Sequence, residues 1–144
     1  MDTDALNQLT SFLDSWTTDP NQTKSCFLRF KEHLEGLAGV NLDFIARPGI
    51  TFSLRTAHAN QSKRSLFAMV DVIDDDPADR WLSVCFYKEL VDDPKELGDE
   101  VPEGLLGEDA KCFDLYESDD DMVKYIKERL SAACSAASNE TLVN

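Results

Sequence analysis

A chain of 144 residues with 42% apolar and 29% charged side chains has the size and mixture of one globular unit that buries a core without metals or crosslinks. Its aromatics (8 Phe, 3 Tyr, 2 Trp) argue against a disordered chain, and no apolar run approaches the roughly 20 residues of a membrane-spanning helix. The net charge of −14 opposes nucleic acid, and the acidic start Met1-Asp2-Thr3-Asp4 is unlike a secretory signal, so the reading expects a cytoplasmic protein.

Leu6, Leu9, Phe12, Leu13 and Trp16 recur at helical spacing and predict a helix over about 3–16. Asp19 is placed to cap a second helix, with Pro20 at its first position and Gln22 in a capping box; Phe27, Phe30, Leu34 and Leu37 form its stripe, and Gly36 and Gly39 mark its end. From Val40 the apolar period falls to two. Val40, Leu42, Phe44 and Ala46, the turn Arg47-Pro48-Gly49, then Ile50, Phe52 and Leu54 predict a β-hairpin. After a polar loop over 57–64, Leu66 to Ile73 reads as a central third strand. The turn Asp74-Asp75-Asp76-Pro77-Ala78-Asp79 follows, and Trp81 to Tyr87 is a fourth strand. Residues 88–109 are broken by Pro94, Gly98, Pro102, Gly104 and Gly107, with short helical turns expected at 94–97 and 102–106. Cys112 to Tyr116 is a fifth strand. Ser118 caps a last helix with Asp119, Asp120 and Asp121 in its first turn, where the dipole favours anions; Met122, Ile126, Leu130, Ala133 and Ala137 face the core, and 138–144 read as a frayed tail. The expected fold is α+β, one domain over 1–144: two N-terminal helices, a five-stranded antiparallel sheet and a C-terminal helix, with the helices on one face.

The charge is unevenly laid out. Residues 1–66 hold seven acids and seven bases, so the remaining 21 acids and seven bases of 67–144 carry all of the −14. Such a surface attracts basic partners or cations, or simply keeps the chain soluble. In the acidic segment 88–109, Asp92, Asp93, Glu96, Asp99, Glu100 and Glu103 are the candidate partner surface. No calcium-loop spacing occurs there. The acidic turn Asp74, Asp75, Asp76 and Asp79 reads as structural or solvating. Asp71 in mid-strand would form a two-carboxylate site if it met Asp114, but the strand after it, Leu82-Ser83-Val84-Cys85-Phe86, lacks the Glu-x-Lys that a nuclease of that type needs. No acid interrupts Asp43 to Asp71, and Arg47, Arg55, His58, Lys63 and Arg64 form a candidate basic patch for an anion or for charge pairing.

Cys26, Cys85, Cys112 and Cys134 are scattered among apolar neighbours with no paired metal-ligand spacing, so four reduced thiols and no metal are expected. Phosphate loops, nucleophile elbows and zinc-protease motifs are absent, and two histidines, His33 and His58, are a thin supply for acid–base work.

The runs Ser65-Leu66-Phe67-Ala68-Met69-Val70, Trp81-Leu82-Ser83-Val84-Cys85-Phe86 and Phe113-Asp114-Leu115-Tyr116, with an Asp-rich helix start after them, resemble the YdhG-like superfamily of small bacterial α-β5-α domains over about residues 25–135. The resemblance transfers no catalytic residue; one branch is described as a frataxin-like iron chaperone, which implies a cation-carrier alternative using acids of 71–109. In size, acidity and α/β mixture the chain is also similar to type III secretion chaperones, but it shows no helix between the third and fourth strands. The expectation is a non-enzymatic, cofactor-free, adaptor- or chaperone-like binding protein. Its partner is another protein or a second copy, not a membrane or nucleic acid.

Overall fold

A computed structural model describes residues 1–140. Helices α1 (Thr3–Ser15) and α2 (Thr23–Glu35) precede strands β1 (Val40–Arg47), β2 (Thr51–His58), β3 (Ala68–Ile73), β4 (Trp81–Tyr87), β5 (Asp99–Leu105) and β6 (Glu108–Leu115), and α3 (Asp120–Ser138) closes the fold. The sheet is antiparallel throughout and ordered β1-β2-β3-β4-β6-β5.

Period-2 patterning places Phe44, Leu54, Val70, Val84 and Phe113 in one row of directly paired residues. That row joins the α1, α2 and α3 stripes in one core containing Leu9, Phe12, Trp16, Phe27, Phe30, Ile126 and Leu130. All three helices therefore cover the same face. The opposite face carries Ser53, Asp71, Ser83 and Asp114 in one cross-strand row and a small cluster around Leu66, Tyr87, Leu105 and Ala110.

Several expectations are corrected. The sheet has six strands, not five. The segment 99–109, read as irregular because of its prolines and glycines, is an edge hairpin: β5 tolerates Pro102 where no further strand needs its N–H, and an irregularity between Val101 and Leu105 absorbs Gly104. The helical turns expected at 94–97 and 102–106 are absent, and a single 3₁₀ turn lies at Lys88–Leu90. Helix α2 starts at Thr23 rather than Pro20, because Gln22 takes a left-handed conformation (φ 60°) and the Asp19 carboxylate reaches forward to accept the Lys24 N–H at 3.2 Å. Cys85 and Cys112, expected as thiols, are directly opposed on β4 and β6 and form a disulfide, whereas Cys26 and Cys134 are free and buried. The first residues of the expected frayed tail, 138–140, are also docked. Asn60 Nδ2 donates to Ser138 O, and the Glu140 carboxylate accepts the Ser62 and Arg64 N–H groups; residues 141–144 lie outside the described residues.

Candidate functional site

A cleft of about 400 Å³ opens where the end of β6, the segment before β5 and the first turns of α3 converge. One wall is built by Asp93. Its carboxylate accepts the Leu97 N–H at 3.0 Å and the Gly98 N–H at 2.9 Å, takes the Tyr125 hydroxyl proton as a hydrogen bond, and lies 3.2 Å from Lys111 Nζ. The turn it holds needs Glu96 at φ 54°. It also needs a glycine at 98, where a Cβ would stand 2.9 Å from the Phe113 ring. Leu115, Met122 and Tyr125 form the floor, and Leu97 and Tyr116 stand at the mouth, 46% and 59% exposed. Tyr116 stacks on Trp81 with ring centroids 4.7 Å apart.

The rim is acidic. Asp114, Glu117, Asp119 and Asp121 line the cleft, against Lys95 alone, whose ammonium lies over the Tyr125 ring at 5.6 Å. The electrostatic result is visible at Tyr116. The charge of Asp114, then desolvation and the charge of Asp99 raise its hydroxyl pKa above the usual phenolic value. A cleft with an apolar floor, aromatic lips and a rim of carboxylates favours a cationic group carried on an apolar stem.

The residues singled out from the sequence divide between this cleft and other duties. Glu96 and Asp99 flank it. Asp93 supports it from within, with a side chain only 1% exposed, and so offers no surface to a partner. Asp92 is solvent-facing, 4.0 Å from Arg129; Glu100 pairs with Lys88 on the edge strand at 3.2 Å; Glu103 turns through φ 55° and donates its N–H to Asp109. The basic residues do not converge into one patch. Arg64 is enclosed: its guanidinium pairs with Glu108 and Glu89 at 2.9 and 2.7 Å and lies 4.6 Å from the Tyr87 ring centroid. His58 accepts the Asn60 N–H and fills the space a side chain at Gly39 would need. Lys63 is exposed in the loop, and Arg47 and Arg55 lie on the helix-free face. Asp71 and Asp114 are separated by Ser83, one strand from each, so they form no carboxylate pair. Burial raises the Asp71 pKa above the usual carboxylate range, against the opposing effects of Ser53, Arg55 and Arg47.

His33 bridges α2 to α3 by a 2.8 Å hydrogen bond to Ser131, and burial lowers its pKa. The site residues that sequence reasoning missed are Lys111, Tyr125 and the Trp81–Tyr116 pair. Tyr125 sits one helical turn from Met122 and was legible as a second apolar row. Its role as a hydrogen-bond donor to Asp93 was not. Among the described residues no group of three or more His, Cys, Asp or Glu side chains is gathered that could hold a metal ion, and no helix is long and apolar enough to cross a membrane.

Asp93 makes the wall of the cleft acid-labile. Burial opposes its ionisation, but the Tyr125 hydroxyl, the Gly98 and Leu97 N–H groups and Lys111 outweigh it and bring the pKa from an ordinary 3.8 down to about 2. A depressed pKa contributes stability that is complete above the unfolded value and is lost as pH falls from about 4 through 2, amounting to about 2 kcal/mol. Urea unfolding across that range is expected to show the loss, and Asp93→Asn to remove most of this pH dependence while destabilising the protein by a similar amount near neutrality. An unchanged acid profile in Asp93→Asn would contradict the assignment.

No protein-family model matches the chain, and neither the curated proteins nor the solved structures contain a match.

Proposed function

We propose that the chain is a non-enzymatic binding protein whose acid-rimmed cleft receives a basic, apolar-bearing segment of a partner protein. The observation that carries this reading is the pairing of exposed Leu97 and Tyr116 with four rim carboxylates in one cleft. Lysine and arginine side chains match it, because each buries an apolar stem while its charged head meets carboxylates or an aromatic face. Solvation alone accounts for exposed acids but not for the exposed aromatic and leucine between them. A cation-carrier reading has less in its support, because several of its acids are already committed: Asp74 to Arg80, Asp93 to Lys111 and Tyr125, Glu89 and Glu108 to Arg64, and Glu100 to Lys88.

Trp81, stacked on Tyr116 at the mouth, provides the test. Titration with peptides alternating Lys or Arg with Leu or Phe is expected to change Trp81 emission. The affinity is expected to fall with added salt and to drop about tenfold in Asp114→Asn/Glu117→Gln. Equal binding of an uncharged peptide of the same apolar content, or no response at low salt, would exclude the proposal.

A further inference from the structure

We infer that β1 is the interface for a second copy of this chain, pairing antiparallel with itself about a two-fold axis at Ile45. The two edges of the sheet differ in kind. Edge strand β5 is unsuited to pairing: it contains Pro102, an irregularity after Val101, and Asp99, Glu100 and Glu103. Edge strand β1 runs eight residues with neither proline nor irregularity. Ala59 N–H donates to Gly39 O across the β1–β2 ladder, which continues in register from Val40 opposite His58. By alternation, the odd-numbered residues of β1 bond to β2, and Leu42, Phe44 and Ala46 turn their N–H and C=O groups outward.

Charge selects the partner and the register. The neutral half of the chain, residues 1–66, contains β1, β2 and the α1 helix that packs on β1, while all of the −14 lies in the half that ends at the β6–β5 edge. Two copies joined at β1 form a twelve-stranded sheet that holds the acidic edges about 50 Å apart, several screening lengths at physiological salt. The shallow groove beside the β1 edge, formed by Asn7, Gln8 and Ser11 of α1 with Ala46 and Pro48, has Asp4 as its one charged side chain. With Ile45 on the axis, Phe44 pairs with the partner's Ala46 through outward backbone groups, and Asp43 stands opposite the partner's Arg47, twice by symmetry. Neither Asp43 nor Arg47 has an ion-pair partner within its own chain among the described residues. In the single chain the Asp43 carboxylate accepts its neighbour Phe44's N–H at 2.9 Å. On pairing, that N–H passes to the partner's Ala46 carbonyl and the carboxylate is released to the partner's Arg47. Moving the axis to Asp43 would set the two Asp43 side chains directly opposite each other, which like charge opposes.

Sedimentation equilibrium of the full chain tests this. A dimer is expected, and Asp43→Arg is expected to weaken it about tenfold to a hundredfold by facing arginine with arginine, with Asp43→Arg/Arg47→Asp restoring it. The restoration separates a broken interface from a misfolded chain. Ile45→Cys is expected to link two copies covalently on mild oxidation, because facing residues on the axis are the closest pair. A monomer at every concentration overturns the inference, as does a dimer that Asp43→Arg leaves intact or that Ile45→Cys fails to link.

Discussion

Asp74→Ala is expected to destabilise the protein by about 3–5 kcal/mol, the range for removing one partner of a buried ion pair. Asp74 is 3% exposed and joins two turns: one oxygen lies 2.7 Å from Arg80 Nε, the other accepts the Gly49 N–H at 2.8 Å, and its own N–H donates to Ile50 O. Arg80 in turn lies over Phe12 at 5.1 Å and within 5.6 Å of the Trp16 and Phe52 rings, so it ties α1 to the sheet. Without Asp74 a guanidinium remains enclosed against three aromatic rings with its Nε unpaired. Urea unfolding measures the loss. Asp75→Ala, one residue along and exposed, is expected to stay within about 0.5 kcal/mol of the parent. Asp74→Asn/Arg80→Leu is expected to recover part of the loss, because it removes the orphaned charge as well as its partner. If Asp74→Ala and Asp75→Ala behave alike, the ion pair contributes nothing.

Reduction of the Cys85–Cys112 bond is expected to cost about 3 kcal/mol, lowering the melting temperature by roughly 10 °C. The bond joins two directly paired residues of β4 and β6 and closes a loop across a sequence separation of 27 that contains the acidic segment and β5. In the unfolded chain it therefore restrains the stretch that is most mutually repulsive. Melting with and without reductant, and of Cys85→Ser/Cys112→Ser, checks the effect; the intact oxidised protein is expected to weigh about 2 Da less than its all-thiol mass. Cys26 and Cys134, both buried and unpaired, are expected to leave the oxidised melt unchanged when alkylation is attempted on the native protein. Identical melts under both conditions, or an all-thiol mass, would show that the two cysteines do not bond.

Whatever depends on local period and local backbone chemistry can be read along the chain. Leu9, Phe12 and Trp16 at helical spacing produced α1; the fall to period two at Val40, with Pro48 and Gly49 in a tight turn, produced β1 and β2; the Asp-rich turn ahead of Met122, Ile126 and Leu130 marked the start of α3, although Asp119, whose carboxylate accepts the Met122 N–H, caps the helix in place of the expected Ser118. Burying one face of each element is the dominant stabilising term, so its period is written along the chain. Which acids are surface and which are framework depends instead on contacts between distant segments. Asp74 and Asp75 are adjacent and chemically identical. One meets Arg80 and Gly49 because two turns arrive at the same place, while the other faces water. Asp92 and Asp93 divide in the same way, the second caught by Lys111 on β6 and Tyr125 on α3, 18 and 32 residues away. The Cys85–Cys112 bond and β5 belong to the same class. The bond depends on the register of β4 against β6, and β5 depends on lying at a sheet edge where Pro102 costs no hydrogen bond. Charge and polarity are local properties of a residue, but a partner is a property of the fold.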